Sequence, residues 1–241
     1  MTFAITARRG WWYTLSFAFL LPGLLALLTG GLKPGIDFTG GALLHVRFEE
    51  PVTQQRLQSI MSDAGYNNAT VQLTEENGAL VRVRQLDIEQ KGSILEALFS
   101  GVSPGQELSF SSIGPIVGSE MTRAALVAVV IASALVLVYV IWAFRRMERA
   151  AVLGFAAIVA LLHDALFLLG LFALLGHFAQ VQVDALFVTA ILTVIGFSVN
   201  DTIVVFDRIR ENREQHRKLP EDYRPSFETT VNLSINQSLI R

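Results

Sequence analysis

Four stretches of the chain are apolar over the length that a membrane-spanning helix needs. A helix crosses the roughly 30 Å hydrocarbon core of a bilayer with about 20 apolar residues. The predicted spans are residues 11–30, 121–144, 150–175 and 184–207. Two arginines precede the first span, but its apolar run is longer than that of a signal peptide and no small-residue cleavage site follows. We therefore expect the first span to be retained.

Residues 31–120 show a different pattern, which is typical of a water-exposed α+β domain. Apolar and polar residues alternate, as in half-buried strands, in segments 41–49, 71–75, 80–86 and 107–113. Apolar residues recur at helical spacing in segments 53–64 and 88–99. The resulting order, β-α-β-β-α-β, is that of the ferredoxin-like split motif. The sequence therefore predicts a ferredoxin-like domain between the first two spans.

Lysine and arginine are concentrated in segments that the positive-inside rule assigns to the cytoplasm. These segments are residues 1–10, the connection between the second and third spans, and residues 208–241. The connection between the third and fourth spans carries neither residue type, and residues 31–120 are too long for the rule to count. The predicted fold is an α-helical membrane protein with a cytoplasmic N-terminus and an α+β ferredoxin-like domain on the outer side.

Composition agrees with a membrane protein and argues against several kinds of site. Hydrophobic residues make up 52% of the chain and charged residues 17%, while the net charge of −2 offers no overall basic excess for nucleic acid. Cysteine is absent, which excludes disulfides and thiolate metal sites. The outer domain shows no histidine cluster, phosphate loop or catalytic triad. We predict no enzymatic activity, no cofactor and no metal site.

Two aspartates lie inside the predicted spans, where a carboxylate is costly. Asp164 falls near the middle of the third span, and Asp201 lies in the fourth span closer to its inner end. An ionised Asp at the centre of a spanning helix costs about 3 kcal/mol on insertion scales. Intramembrane acids are therefore functional, protonatable candidates by default. The alternative is that both are packing groups, hydrogen-bonded to neighbours such as Asn200, Ser198 or His163.

Helical phase places small residues beside these acids. Asp164 shares a face with Ala157 and Ala160. The fourth span carries a stripe of small and polar residues, and Asp201 lies about 100° around the helix from Asn200 in that stripe. The members of the polar stripe are Thr189, Thr193, Gly196, Asn200 and Asp207. Small residues let helices approach closely in lipid, so we expect these two faces to form a helix–helix seam.

His163 immediately precedes Asp164 and could relay protons near neutral pH. Adjacent residues on a helix do not face each other, so we expect the two side chains to point apart. No matching set of ligands accompanies the histidine, which indicates a hydrogen-bonded structural group rather than a metal ligand.

The segment GIDFTGG, residues 35–41, connects the first span to the first predicted strand. Gly35, Gly40 and Gly41 permit a tight backbone path that can be left-handed. We interpret Asp37 as a turn-forming side chain that bonds nearby backbone, with a functional hinge as the alternative.

Three motifs together resemble a known family: GIDFTGG after the first span, HD at 163–164 in the third, and VNDTIVVFDRIREN at 199–212. They resemble the SecF branch of the bacterial SecD/SecF protein-export family, within the resistance-nodulation-division superfamily. The resemblance runs along the whole chain. The short outer domain with its own initiating Met is similar to SecF rather than SecD.

The resemblance implies a bacterial inner-membrane subunit with a periplasmic outer domain, surrounded by membrane lipid. Its implied partners are SecD, the Sec translocon channel and exported unfolded polypeptide, and its implied activity is to promote export with the proton motive force. Asp201 would be the main proton-pathway acid, with Asn200 and Asp164 as further candidates. Arg241 would match the arginine that opens the family's fifth span.

The same resemblance implies two structural motifs. Asp207 and Arg208 would lie at the inner end of the span that carries Asp201. Asp37 and the three glycines of GIDFTGG would form the other motif.

One departure from the family is the number of spans. The family has six and this sequence shows four, so we expect a fragment without the two helices that would shield Asp201. Two other interpretations stay open. One is a fragment of a proton-driven small-molecule exporter of the same superfamily, whose outer domains are larger. The other is an intramembrane aspartyl protease with Asp164 and Asp201 as its dyad, although the G-x-G-D arrangement typical of such proteases is absent around Asp201.

Overall fold

The computed structural model describes residues 3–84, 86, 88–145 and 150–239. The chain forms two compact units. The helical unit consists of Met1–Leu32, Ala128–Val181 and Phe187–Arg241. The sheet unit consists of Lys33–Val127 and Gln182–Leu186.

The secondary structure of the described residues alternates long helices with one block of strands. In chain order the elements are α1 (Arg9–Gly30), α2 (Ile36–Thr39), β1 (Gly41–Phe48), α3 (Gln54–Asp63), β2 (Thr70–Thr74), β3 (Gly78–Val83), α4 (Ile88–Gly101), β4 (Gly105–Ile113), α5 (Pro115–Phe144), α6 (Ala150–Ala179), α7 (Ala185–Arg217) and α8 (Phe227–Leu239). Short 3-10 helices precede α1 at Thr6–Arg8 and α8 at Glu221–Tyr223.

Four of the described helices are long and apolar enough to cross a membrane, which identifies a multi-pass membrane protein. They are α1 with the turn before it, α5, α6 and α7. α5 begins at Pro115, ahead of the predicted span, and α7 continues to Arg217, ten residues beyond the predicted end at 207. Large apolar side chains on these helices point outward, for example Leu135 with 65% of its surface exposed. Lipid is the solvent that stabilises such a surface.

α1 and α6 pack against each other in the helical unit and run parallel. Three contacting pairs are spaced seven residues apart on both helices: Ser16 with His163, Gly23 with Gly170, and Gly30 with His177. A Cβ atom on Gly23 would lie 2.8 Å from the Cα atom of Gly170. The two backbones therefore touch where neither residue has a side chain, which is how helices pack closely in lipid.

A second contact in the helical unit joins α5, α6 and α7. Val140, Ala157 and Val199 are buried together in one apolar cluster. α6 and α7 are joined by five residues, so they run antiparallel as neighbours connected by a short loop do. This cluster is where Val199 of α7 packs with Ala157 of α6.

The sheet unit contains a four-stranded antiparallel sheet in the order β2-β3-β1-β4. The predicted element order β-α-β-β-α-β is confirmed, and each predicted strand and helix forms within a few residues of its expected bounds. Alternating residues of β1, such as Leu44 and Val46, are fully buried in the core between the sheet and its two helices. Leu57 of α3 and Leu98 of α4 are fully buried in the same core. The alternation seen in the sequence is thus the alternation between the covered and open faces of the sheet.

Candidate functional site

The GIDFTGG segment forms a junction inside the sheet unit rather than an irregular loop. Residues Ile36–Thr39 form the single turn α2, which carries Asp37. The Asp37 carboxylate accepts a hydrogen bond, 2.8 Å long, from the backbone N–H of Ala185, the first residue of α7. The first N–H groups of a helix lack partners within the helix, and a carboxylate satisfies one of them while favouring the positive end of the helix dipole. Asp37 therefore caps α7 from 148 residues away in sequence.

Backbone pairing strengthens this attachment. The N–H of Gly35 donates to the carbonyl of Val183 at 2.7 Å, and the N–H of Val183 donates to the carbonyl of Lys33 at 2.8 Å. Pro34 and Val183 form a parallel bridge. A Cβ atom on Gly35 would lie 3.0 Å from the carbonyl oxygen of Val183, so a larger residue would push the two paired segments apart.

The same segment also contacts the start of α5. Gly40 has a φ of +71°, and a Cβ atom there would lie 2.8 Å from the Cα of Pro115. A Cβ atom on Gly118 would lie 2.6 Å from the backbone nitrogen of Gly40. The Thr122 hydroxyl donates to the carbonyl of Phe38 at 3.2 Å. The GIDFTGG junction thus contacts the first turns of both α5 and α7.

Two expectations for this segment have different outcomes. The left-handed path is confirmed at Gly40 and Gly41, which have φ values of +71° and +126°, whereas Gly35 is extended. The interpretation of Asp37 as a side chain that bonds nearby backbone is wrong, because its carboxylate accepts from the N–H of Ala185, 148 residues away. Sequence reasoning missed this partner since nothing local marks Ala185 as the recipient of a distant cap.

Asp164 lies in α6 with His163 as its partner. The Nδ1 atom of His163 is 2.8 Å from a carboxylate oxygen of Asp164, and its Nε2 atom contacts the hydroxyl of Ser16 on α1. Both acid and imidazole are part-buried, with 42% and 39% of their side chains exposed. The expectation that these neighbours point apart is wrong, since the imidazole folds back onto the adjacent carboxylate. Ser16, His163 and Asp164 form one hydrogen-bonded chain at the α1–α6 contact.

Asp201 and Asn200 lie on an exposed part of α7. Neither side chain makes a hydrogen bond or an ion pair with any residue that the structure describes. The buried face of α7 in this region instead carries Ile191, Ile195 and Val199. Asp201 is therefore available to a further helix, to lipid or to water.

The predicted seam is only half right. Ala157 is buried between the helices, as expected for the face that also carries Asp164. The polar stripe of α7 is exposed along all five of its members, and the surface of α7 that meets Ala157 is formed by Val199. Within the described residues the seam is apolar, because each helix buries its aliphatic face and leaves its polar face outward.

The two acids have no hydrogen bond with each other in the part of the chain that the structure describes. Asp164 is bonded to His163 at 2.8 Å, and Asp201 lies on an exposed part of α7. An aspartyl dyad needs two carboxylates that share a proton, and the described contacts of these acids show no such pair.

The last turns of α7 carry the remaining motif residues. Arg208 forms an ion pair with Glu211 at 2.7 Å, and Arg210 forms one with Asp207 at 2.6 Å. These exposed pairs between residues three apart contribute little to stability. Arg241, which the resemblance matches to the arginine of the family's fifth span, lies outside the described residues.

Sequence reasoning also gave no role to the polar residues of α8. Thr230, Ser234 and Asn236 are buried there, together with Asn212 of α7. A run of Thr, Asn and Ser in a solvated segment gives no signal of burial, so only the structure could show it.

Two family models of export proteins match parts of this chain. The C-terminal model described as "Protein export membrane protein SecD/SecF, C-terminal" matches residues 94–241, which is more than half of the chain. The model described as "SecD/SecF GG Motif" matches residues 25–52, which contain the GIDFTGG junction.

Individual relatives agree with these models. The chain is 42% identical to "Protein translocase subunit SecF" of Thermobaculum terrenum, over 95% of this chain and 74% of that protein. It is 32% identical to "Protein translocase subunit SecDF" of Bacillus subtilis, over 98% of this chain and 30% of that protein.

A solved structure shares the fold. The crystal structure of SecDF from Thermus thermophilus, titled a translocon-associated membrane protein, matches with a TM-score of 0.81 at 29% identity. The match covers 100% of this chain and 31% of that one, so this chain spans about a third of the SecDF polypeptide. The chain belongs to the SecD/SecF family of protein export membrane proteins.

Proposed function

We propose that this chain works as the SecF-type subunit of the bacterial Sec protein-export machinery in the inner membrane. It acts with SecD beside the Sec translocon channel and uses the proton motive force to promote the export of unfolded polypeptide. The chain itself performs no enzymatic reaction. The observation that carries this proposal is Asp201, a carboxylate on a membrane-spanning helix that no described side chain neutralises.

The charge state of Asp201 would drive the cycle. An ionised carboxylate within a span costs about 3 kcal/mol, and protonation removes that cost. The protonated and ionised forms therefore favour different packing of α7. Moving one charge through the membrane field is worth about 2.3 kcal/mol per 100 mV, which is enough to shift a balanced two-state element.

The neighbours of Asp201 suggest what it meets. Asn200 lies next to it, and the exposed polar stripe of α7 offers small and polar residues to another helix. We place a further helix of the assembly on this stripe. From the sequence, Arg241 supplies the positive charge that pairs with ionised Asp201 and is released when Asp201 is protonated.

Asp164 has a secondary role in this proposal. Its carboxylate is already bonded to His163, which in turn contacts Ser16. A carboxylate held in this way is stabilised by its partners, so we assign it to proton transfer near α1 rather than to the coupling step. Loss of Asp164 should impair export only in part.

The sheet unit would be the periplasmic domain. Its element order and its strand order β2-β3-β1-β4 support a ferredoxin-like fold for residues 31–120. The positive-inside rule supports a cytoplasmic N-terminus for residues 1–10 and a cytoplasmic segment at 208–241. We retain spans at 11–30, 121–144, 150–175 and 184–207.

The GIDFTGG junction would transmit movement. Asp37 and Gly35 attach to the start of α7, and α7 carries Asp201 sixteen residues later, or about 24 Å along the helix. α7 is one helix from Ala185 to Arg217, and in this proposal it is the element through which Asp201 acts on residues 33–41. Asp207 and Arg208 would lie towards the opposite, inner end of α7.

The test is export in a bacterium that carries the full-length protein as its only copy. Asp201→Asn keeps the size of the side chain and removes its titration, whereas Asp201→Glu keeps a carboxylate. We expect Asp201→Asn to abolish the gradient-dependent part of secretion at matched membrane abundance, and Asp201→Glu to retain some of it. Secretion at the parental rate in the Asn variant would refute the assignment of Asp201.

A further inference from the structure

α8 is attached to the rest of the helical unit through polar side chains. Thr230, Ser234 and Asn236 are buried, with 3%, 0% and 3% of their surface exposed. Neither apolar cluster among the described residues contains a residue of α8. Buried polar groups must be hydrogen-bonded, so the partners of these side chains define how α8 is held.

One face of α8 binds the backbone ahead of α1. The side-chain amide of Asn236 accepts from the N–H of Phe3 at 2.7 Å and donates to the carbonyl of Phe3 at 2.8 Å. One turn earlier, the Oδ1 atom of Asn232 accepts from the N–H groups of Ile5 and Thr6, at 2.8 and 3.2 Å. The hydroxyl of Thr6 adds a longer contact to the same atom, at 3.4 Å. These hydrogen bonds therefore involve mainly main-chain atoms of residues 3–6 and depend little on the side chains of those residues.

Another face of α8 binds the C-terminal part of α7. The amide nitrogen of Asn212 donates to the hydroxyl of Ser234 and to the side-chain oxygen of Gln237, both at 2.9 Å. His216, one turn later, lies 3.1 Å from the hydroxyl of Thr230. Partners advance on α7 as they retreat on α8, so the two helices are antiparallel here.

We propose that α8 is a strap that fastens residues 3–6, and with them the start of α1, to the C-terminal part of α7. The strap is held by side-chain hydrogen bonds, and its apolar residues Val231, Leu233 and Ile235 are only partly buried and belong to neither apolar cluster. It is therefore a weak, reversible attachment rather than part of the core. The strap sets the position of the C-terminal part of α7 relative to the start of α1. Its importance for export rests on the proposed function, but its existence does not.

The chain offers a direct probe of the strap, because it contains no cysteine. Arg9 is the first residue of α1 and Glu228 lies in the first turn of the strap, and their largely exposed side chains are 3.8 Å apart. The pair Arg9→Cys and Glu228→Cys, in the full-length protein in membranes, can be joined by a short bismaleimide. The fraction joined reports how often the strap is closed.

Ile5→Pro breaks the strap without touching α8. The φ of Ile5 is −69°, which proline adopts, but proline lacks the N–H that donates to Asn232 at 2.8 Å and also to the carbonyl of Phe3 at 3.0 Å. Ile5→Ala is the matched control, since it removes the same side chain and keeps the N–H. We expect Ile5→Pro to lower the cross-linking rate by at least about five-fold relative to Ile5→Ala, which is the factor for the loss of the hydrogen bond to Asn232 alone. Asn236→Ala should lower it at least as much.

Secretion rates distinguish a strap that positions α7 for export from a strap that has only a structural role. We expect Ile5→Pro to slow secretion relative to Ile5→Ala, and the covalent link between positions 9 and 228 to restore it. Equal cross-linking in Ile5→Pro and Ile5→Ala would overturn the strap itself. Reduced cross-linking without slower secretion, or slower secretion that the covalent link does not restore, would overturn its positioning role. An effect of Asp201→Asn on secretion bears on the proposed function alone, because it leaves the strap contacts intact.

Discussion

The carboxylate of Asp37 and the backbone N–H of Ala185 form a hydrogen bond that joins the GIDFTGG junction to the first residue of α7. α7 is 33 residues long and has no acidic residue within its own first turn. Negative charge at its N-terminal end comes from Asp184, the residue just before the helix, and from Asp37, which belongs to another element. The contact lies at one end of the helix that carries Asp201.

Removal of this cap should loosen the start of α7. Asp37→Ala loses the acceptor, which costs about 1 kcal/mol for a helix cap. We expect the amide of Ala185 to exchange its hydrogen roughly five-fold faster, with Asp37→Asn intermediate because its amide oxygen still accepts. Asp63→Asn, at an exposed acid of the same unit, is the control. Unchanged exchange at Ala185 in Asp37→Ala would show that the cap does not hold the helix.

Gly40 should tolerate a side chain less well than Gly31, although both have a positive φ, +71° and +65°. Both residues also have ψ near 180°, a backbone conformation that is essentially restricted to glycine, so alanine costs about 1–3 kcal/mol at either site. At Gly40 the added Cβ would also lie 2.8 Å from the backbone of Pro115, whereas nothing lies within 4 Å at Gly31. The apparent Tm of purified protein should fall at least twice as far for Gly40→Ala. Equal losses would mean that the close approach to Pro115 carries no weight.

Two glycines of α6 should respond to alanine in opposite ways, because only one of them lies at the contact with α1. A Cβ on Gly170 would meet the backbone of Gly23 at 2.8 Å, while one on Gly154 of the same helix would meet nothing within 4 Å. Gly170→Ala should therefore destabilise the protein. Gly154→Ala should be neutral or stabilising by about 0.5–1 kcal/mol, since it reduces the freedom of the unfolded chain. Thermal unfolding in detergent measures both, and a stable Gly170→Ala variant would contradict the packing described.

His163 should matter to Asp164 more than Ser16 does. His163→Phe fills the same space and removes the Nδ1 contact to the carboxylate, whereas Ser16→Ala removes only the outer contact of the chain. We expect His163→Phe to slow secretion to about the level of Asp164→Asn, and Ser16→Ala to have a smaller effect. If Ser16→Ala were the more harmful, the imidazole would serve α1 packing rather than the acid.

The sequence predicted those features that a single local pattern encodes. Strand alternation in residues 41–49 shows the buried face of β1 directly, because every second side chain enters the core. The length of the apolar runs predicted the four long helices for a similarly direct reason.

Features that depend on distant partners could not be predicted in this way. In the sequence Asp37 looks like any aspartate in a turn, and only the structure shows that it bonds Ala185. Asn232 and Asn236 bind the main chain of residues 3–6, so the side chains of those residues carry no signal of the contact. The polar stripe of α7 misled for a related reason. Helical phase shows which residues share a face, but not whether a partner within the same chain covers it.

The central claim is that Asp201 couples the proton gradient to export, and the most direct measurement is the response of export to that gradient. Membrane vesicles with the full export machinery would be compared with and without a protonophore, for the parent, Asp201→Asn and Asp201→Glu. We predict that the protonophore slows export in the parent and in Asp201→Glu. Asp201→Asn should be slow in both conditions and unaffected by the protonophore. An Asn variant that exports at the parental rate and still responds to the gradient would contradict the account.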